Sequence, residues 1–197
     1  MASEEIKRKM IEVTKSLLHE KASITIKDIA DASYVNIAAV NYHFGSKEKL
    51  MAIVLEEVID ELKAYVSQEI LISHEKPVDL VLEEVIDYLY KFALDNLGLL
   101  NYLFLSDELQ KESSGALMKH FFSDNAFTQL IYKSLSKTTQ ITNEKELQAR
   151  YVLLFSSFCI PLFLQISQFK LITPMKIEMF FDPEFRSNYI KGIMKLM

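Results

Sequence analysis

Glycine, proline and cysteine are scarce in this sequence: four glycines, four prolines and one cysteine occur in 197 residues. The single cysteine, Cys159, excludes an internal disulfide framework and a zinc site built on several thiolates, and it suits a reducing compartment. So few glycines argue against an all-β sandwich, because its many tight turns need residues that tolerate a positive φ. We therefore expect helices joined by short connections.

Signals for catalysis, metal binding and export are also absent. No histidine lies three or four residues from another, so the spacing of a helical metal site does not occur. Neither a Gly-rich phosphate loop, nor a GxSxG elbow, nor a catalytic Cys/His signature is present. The charged N-terminus has no apolar run and does not resemble a signal peptide. We predict a cytoplasmic protein that is not an enzyme and has no metal or cofactor.

One segment, residues 151–169, carries no formal charge and is long enough to be weighed as a membrane span. Serine, glutamine and proline residues interrupt it, and such polarity is unfavourable in lipid. We expect instead a helix buried against protein, and no membrane partner.

Charge is distributed unevenly along the chain. Residues 1–50 contain eight Lys/Arg and seven Asp/Glu, a net charge of +1. Residues 51–197 contain fourteen and twenty, a net charge of −6, and the two parts give the −5 of the whole chain. The acidic balance gives no support to nucleic-acid binding. Any binding of DNA must rely on a few cations near the N-terminus.

Hydrophobic periodicity predicts an all-α fold of about nine helices and no strand. A small N-terminal domain is expected over residues 1–50 and a larger helical domain over residues 51–197, with the fourth helix connecting them. The second predicted helix is about eight residues long and begins near residue 26. The other predicted helices cover residues 3–20, 36–44, 46–66, 78–96, 98–111, 115–137, 144–171 and 183–196.

Local signals set several helix boundaries. Thr25 and Asp28 have the spacing of a capping box, and Asn36 can cap the third helix. Gly45 can end that helix, because glycine readily takes the conformation that closes a helix. Pro161 predicts a kink in the eighth helix.

Two short helices joined by a tight turn and packed on a first helix are the geometry of a helix-turn-helix, whose second helix enters the major groove of DNA. A set of residues in this region forms a distinctive pattern: Thr25, Ile29, Ala30, Val35, Asn36, Tyr42, His43, Phe44, Ser46, Lys47, Glu48 and Leu50. This pattern resembles the TetR family of bacterial transcriptional regulators, and the resemblance extends over about residues 6–66.

The sequence departs from the family pattern at two positions, where Tyr34 and Ala22 stand in place of the usual glycines. A tyrosine at positive φ would cost about 1–2 kcal/mol. Either the turn between the short helices follows another backbone path, or the strain is tolerated.

The resemblance implies a homodimeric regulator that binds double-stranded DNA at a palindromic operator. It implies a repressor that an unknown small-molecule effector releases from the operator, although the effector's identity and the direction of the response stay open. Two alternatives also stay open. One is a dimeric DNA-binding regulator without an effector, and the other is an enzyme that acts on a small molecule.

Side-chain chemistry suggests how the third helix would contact DNA. The small apolar residues 37–39 can touch thymine methyl groups, and Asn41 can pair with the N6 and N7 atoms of adenine. Tyr42 can donate to a phosphate, and Lys47 lies in a first helical turn, where free backbone N–H groups favour a phosphate. The expected DNA-contacting residues are Lys27, Asn36, Ile37, Ala38, Ala39, Asn41, Tyr42, His43 and Lys47.

By the same resemblance, the second domain should bind the effector and hold the dimer together through its last two long helices. Residues 51–197 contain 12 of the 13 phenylalanines and 7 of the 9 tyrosines, more than one narrow core needs. They can line an apolar pocket, although ordinary core packing is the better explanation of any single one of them. The candidate ligand-binding residues are Phe92, Tyr102, His120 and Phe122.

Helical spacing of apolar residues in the last two helices predicts a four-helix interface around a two-fold axis. The candidate interface residues are Tyr151, Leu154, Phe155, Phe158, Leu162, Phe185, Tyr189 and Ile193.

Overall fold

The computed structural model describes residues 2–21, 23–72, 76–105, 115, 118–167 and 179–196. Within these ranges it contains nine α-helices, one π-helix, one 3-10 helix and no strand, which confirms the all-α prediction there. The α-helices are α1 (Ala2–Glu20), α2 (Ile26–Ser33), α3 (Ile37–Phe44), α4 (Lys47–Ile72), α5 (Val78–Asp95), α6 (Leu97–Leu105), α7 (Ala126–Thr139), α8 (Glu144–Ser167) and α9 (Pro183–Leu196). Met118–Phe122 form the π-helix and Met179–Phe181 the 3-10 helix.

Three sequence-based expectations fall on residues outside these ranges. The predicted sixth and eighth helices extend into residues 106–111 and 168–171, and Ala22 is the second departure from the family pattern. Residues 22, 106–111 and 168–171 lie outside the described residues.

The chain divides into two compact units. The first combines Met1–Glu61 with Asn96–Ala116, and the second combines Leu62–Asp95 with Leu117–Met197. The helix α6 therefore packs with the N-terminal helices, and α4 contributes to both units. A functional boundary at residue 50 stays a prediction.

In the first unit, apolar residues of α1 to α4 form a core beneath the helix-turn-helix. Met10, Ile29, Val40 and Leu50 are all fully buried. Because each comes from a different helix, burying them together fixes the arrangement of the four helices.

The predicted helix boundaries around α2 and α3 are confirmed. Thr25 accepts a hydrogen bond from the Asp28 backbone N–H, and the Asp28 carboxylate accepts one from the Thr25 N–H at 2.8 Å. Hydrogen bonds from Lys21 and Thr25 hold the pKa of Asp28 well below its usual range, so the cap stays charged near neutral pH. Asn36 caps α3, and Gly45 ends it with φ +80°.

The turn between α2 and α3 keeps its left-handed residue although that residue is a tyrosine. Tyr34 has φ 60° and ψ 39°, and the Val35 N–H donates to the carbonyl of Ala30 at 3.0 Å. This is the hydrogen bond of a Schellman motif, which usually places glycine at the left-handed position. The Tyr34 ring is 88% exposed, and the Lys9 ammonium lies 4.9 Å from its centre. The strain is therefore tolerated, and the turn does not take another path.

The second unit has an aromatic core built around Tyr90 of α5. Its fully buried ring lies 4.8 Å from Phe158, 5.4 Å from Phe180 and 5.9 Å from Tyr189, measured between ring centres. These rings bring α5, α8, the 3-10 helix and α9 into one core.

The predicted single helix over 115–137 is wrong. The π-helix ends at Phe122, and a new helix begins after Asn125. The Asn125 side chain accepts hydrogen bonds from the backbone N–H groups of Phe127 and Thr128, and the Thr128 hydroxyl accepts one from the Asn125 N–H. This reciprocal cap favours a helix start at a place where apolar periodicity alone suggests continuity.

Pro161 lies inside α8 and removes the N–H that would donate to the carbonyl of Ser157, four residues earlier. Two tyrosine hydroxyls from other helices donate to that carbonyl instead, Tyr90 at 2.6 Å and Tyr189 at 3.0 Å. The helix therefore tolerates a proline because side chains of the core satisfy the carbonyl that it leaves without a helical partner.

We predict a non-additive loss of stability when these hydroxyls are removed. Tyr90→Phe or Tyr189→Phe alone leaves one donor on Ser157 and should lower the free energy of unfolding by about 0.5–1.5 kcal/mol. The double variant should lose more than the sum, because a partly buried carbonyl then has no protein donor. Urea denaturation measures the free energies.

Pro161→Ala is the matched background for this cycle, because an alanine N–H can donate to Ser157. The excess loss should disappear there. Additive losses in both backgrounds would show that the two hydroxyls do not compensate for the proline.

Candidate nucleic-acid interface

The helix α3 has a buried side and an exposed side. Val40 and Phe44 are buried in the first unit, whereas Ile37, Ala38, Asn41 and Tyr42 are exposed. We call these four exposed residues the recognition face. They combine small apolar groups, one amide and one phenol, which suit thymine methyls, an adenine edge and a phosphate in that order.

Asn36 has a structural duty at the start of α3. Its side-chain oxygen accepts a hydrogen bond from the Ala39 backbone N–H at 2.7 Å, which caps the helix. The amide oxygen is therefore committed to the cap, and only the NH₂ group of this exposed side chain can donate to DNA. Ala39 itself is half-buried.

The end of α3 presents a phenol beside an imidazole. Tyr42 is 83% exposed, and its ring meets the half-buried ring of His43 edge-on at 5.2 Å between centres. His43 also lies 6.4 Å from the core residue Phe44. Tyr42 is therefore fully available to a DNA backbone, whereas His43 is partly engaged with its neighbours.

Two lysines flank the recognition face in sequence. Lys27 is exposed in the first turn of α2. Lys47 begins α4, and its ammonium lies 4.9 Å from the ring centre of Tyr102, within the range of a cation–π interaction. The structure thus confines the ammonium of Lys47 in a way that the sequence does not indicate.

Ion pairs between α1 and α4 stiffen this unit. Arg8 and Lys15 both pair with Glu57, at 2.9 and 2.8 Å, and Lys15 also pairs with Glu61 at 2.7 Å. Burial raises the pKa of Glu57, but the hydrogen bonds and charges of Lys15 and Arg8 outweigh it and leave the pKa lowered. Glu57 therefore stays ionised near neutral pH, and the pairs help to hold the first part of α4 against α1.

The four candidate ligand residues lie at separate places in the described structure, and their role in binding a ligand stays a prediction. Phe92 lies 6.1 Å from Tyr88 in α5, and Tyr102 belongs to the first unit. His120 is buried, with its Nδ1 3.4 Å from the Nζ of Lys63. Of the four, only Phe122 lines the cavity described next.

A cavity of about 510 Å³ lies in the second unit, among the π-helix, α7 and the start of α8. Its described lining includes the aromatic residues Phe121, Phe122 and Tyr132 and the carboxylates of Asp124 and Glu144, and it contains no lysine or arginine. Burial raises the pKa of Tyr132, and the nearby charge of Glu144 raises it further. The volume suits a small organic molecule.

The predicted interface residues of α8 and α9 face mainly into the protomer. Tyr151, Leu154 and Ile193 are buried in the core of the second unit, and Phe158 packs against it. The Tyr151 hydroxyl donates to the carbonyl of Phe121, and burial raises the pKa of Tyr151 to about 12, which keeps the proton in place. The other predicted residues are similarly placed: Leu162 is buried, and Phe155, Phe185 and Tyr189 are half-buried.

A different side of α8 is apolar and exposed. We call Ala149, Val152, Leu153 and Phe163 the apolar face; Val152 and Leu153 are 50% and 56% exposed. The stretch Glu144–Leu164 is also long and apolar enough to cross a membrane by length and composition, and 25% of its most apolar window is buried. Within the described residues, one protomer therefore covers only a small part of this helix.

Taken together, three packed helices, a left-handed turn and an exposed recognition face on α3 define a helix-turn-helix DNA-binding protein. Residues 11–54 match the family model for bacterial regulatory proteins of the tetR family. The N-terminal helices of this chain are therefore similar to those of bacterial transcriptional regulators of the TetR family.

A solved structure has a similar fold. A protein from Mesorhizobium loti MAFF303099, assigned to the TetR family of transcriptional regulators, superposes with a TM-score of 0.68. The likeness covers 100% of this chain and 98% of that chain at 14% sequence identity, so it shows the fold alone. No curated protein sequence matches the chain.

Proposed function

We propose that this chain is a homodimeric, cytoplasmic repressor that binds a palindromic operator and is released by a small-molecule effector. The observation that carries the DNA-binding part is the division of α3, in which Val40 and Phe44 are buried while Asn41 and Tyr42 are exposed. Each protomer inserts its α3 into a major groove, and the two half-sites lie about one helical turn, 34–36 Å, apart or slightly more.

Asn41 and Tyr42 have different roles in this proposal. Asn41 reads an adenine edge, so Asn41→Ala should cost about 1–3 kcal/mol on the preferred site and relax the preference at one base pair. Tyr42 donates to a phosphate, so Tyr42→Phe should weaken binding to all sequences alike. Selection of bound sequences from random DNA, followed by titrations of the selected and altered sites, measures both effects.

Tyr65→Phe is the matched control, because Tyr65 is an exposed tyrosine of α4 that lies outside the recognition face. It should leave DNA binding unchanged. An Asn41→Ala variant with undiminished sequence preference would refute the role of Asn41 in base recognition.

A second copy of the chain is the proposed occupant of the apolar face of α8. Two observations support it: the low burial of this helix within one protomer, and a single recognition helix per protomer, which needs a partner to read a palindrome. The apolar face of α8 lies beside the interface residues that helical spacing predicted. The side chains of those residues pack within the protomer.

We predict that Leu153→Glu separates the dimer and leaves the protomer folded, because Leu153 is exposed in one protomer. A carboxylate buried in the interface without a partner is strongly unfavourable. Gln148→Glu adds the same charge to α8 outside the apolar face and should preserve the dimer. Equilibrium sedimentation measures the mass, and a wild-type monomer at micromolar concentration that binds the operator fully would refute the dimer.

The cavity in the second unit supports the effector part of the proposal. Three aromatic rings and two carboxylates suit an aromatic cation, which can stack on Phe122 or Tyr132 while its charge faces Asp124 or Glu144. A suitable probe is (1-naphthylmethyl)trimethylammonium, with 1-naphthalenemethanol as the neutral analogue and 1-naphthoate as the anionic one.

We predict that the cationic probe binds more tightly than the other two by isothermal titration calorimetry. Glu144→Gln should weaken its binding several-fold, because one attractive charge is lost. Glu146→Gln is the control, because Glu146 lies in the same first turn of α8 outside the described lining. Equal binding of all three probes would refute the cationic ligand class. Tight binding without any release of operator DNA would favour the regulator without an effector.

A further inference from the structure

We infer that Gln129 and Gln148 are specificity-determining residues of the cavity in the second unit, and that they select a cation that carries N–H groups over a quaternary ammonium ion. This inference rests on the proposed function, which places a small cationic molecule in that cavity. Both glutamines line the cavity, and each donates a hydrogen bond to a carboxylate of the same lining.

The cavity has a half-buried apolar interior and an exposed polar rim. Phe121, Tyr132 and Leu147 are half-buried and can pack against an aromatic ring. Four of the exposed lining residues, which we call the polar rim, are Asp124, Gln129, Glu144 and Gln148. A ligand whose ring lies in the interior leaves its charged group at the polar rim, next to water. The cation therefore keeps part of its hydration, and the cost of burying its charge is small.

The polar rim contains two carboxylate–amide pairs, one at the start of α7 and one at the start of α8. The Nε2 of Gln129 donates to Oδ1 of Asp124 at 2.7 Å, and the Nε2 of Gln148 donates to Oε1 of Glu144 at 3.3 Å. A carboxylate can only accept, so each glutamine turns its NH₂ group toward the carboxylate. Each amide oxygen stays an acceptor, and no donor among the described residues bonds to it.

The cavity therefore offers a ligand mainly hydrogen-bond acceptors. The hydroxyls of Ser123 and Thr128, which also belong to the lining, already donate to backbone carbonyls. A protonated amine can donate its N–H groups to the carboxylate and amide oxygens of the polar rim, and such charge-assisted hydrogen bonds are about twice as strong as neutral ones. A quaternary ammonium ion carries the same charge but no N–H group, so it gains only the attraction of the carboxylates and of the rings.

The starts of two helices would by themselves favour an anion, because their first backbone N–H groups have no partner within the helix. Side-chain caps occupy such groups at both helix starts. Asn125 accepts hydrogen bonds from the N–H groups of Phe127 and Thr128. Asn143 accepts one from the N–H of Glu146 at 3.1 Å. With these N–H groups occupied and two carboxylates in the lining, a cation is the better match.

Isothermal titration calorimetry with two cations that share one ring system tests the inference. The probes are 1-naphthylmethylammonium, at a neutral pH where the amine is protonated, and (1-naphthylmethyl)trimethylammonium. We expect the first to bind the wild-type protein about two- to tenfold more tightly, because it alone donates hydrogen bonds to the polar rim. Equal affinities, or tighter binding of the trimethyl compound, would overturn the inference.

Substitution of both glutamines separates hydrogen bonding from the bulk of the three methyl groups. Gln129→Met combined with Gln148→Met keeps the length of the side chains and removes their amides. The preference for 1-naphthylmethylammonium should then fall several-fold, because only this probe loses hydrogen bonds. Gln68→Met is the matched control, since Gln68 is exposed on α4 outside the described lining, and it should keep the wild-type preference. An unchanged preference in the double variant would mean selection by size and would overturn the inference.

Failure of the proposed function gives a different result in the same titrations. If neither cation binds more tightly than 1-naphthalenemethanol, the cationic ligand class is wrong and the inference is wrong with it. If both cations bind more tightly than the alcohol but equally to each other, only the inference is wrong.

Discussion

Val40 and Phe44 lie on one side of α3 and are packed into the core of the first unit, so this eight-residue helix is held in one orientation. A helix of that length is unstable alone in water, and its structure depends on the apolar side that it buries. The orientation that buries Val40 and Phe44 also leaves Asn41 and Tyr42 in solvent. In the proposed function, folding and DNA recognition therefore use opposite sides of the same two turns, and the caps at Asn36 and Gly45 fix where those turns begin and end.

The second unit uses its aromatic residues mainly for its own core. Tyr90 contacts three other rings, and its hydroxyl satisfies the carbonyl that Pro161 leaves without a helical donor. This arrangement explains why a surplus of aromatic residues does not by itself indicate a large ligand pocket. It also explains why the interface prediction selected residues that the core buries. The apolar spacing on α8 that suggested a partner protomer belongs in part to the core of the second unit.

The features that the sequence could predict are local ones. The caps at Thr25 and Asn36 act across three residues, and helix periodicity needs no knowledge of neighbours, so both could be derived from the sequence. Asn125 offered the same kind of signal, but the apolar residues on either side favoured one continuous helix. Contacts between distant residues could not be derived: the Tyr102 hydroxyl donates to the carbonyl of Ile24, 78 positions away. Gly98 inside an apolar helix was a signal of the close approach of α6 to α1, although it did not identify the partner.

The proposed DNA binding uses few phosphate contacts, and it is therefore compatible with the net charge of the chain. The chain carries −5, and among the nine residues expected to contact DNA only Lys27 and Lys47 are permanently cationic. Each cation that neutralises a phosphate adds to salt-dependent, sequence-independent affinity, so two lysines per protomer supply only a modest amount of it. In the proposed function, most of the discrimination between sites therefore comes from base contacts on the recognition face and from the pairing of two such faces.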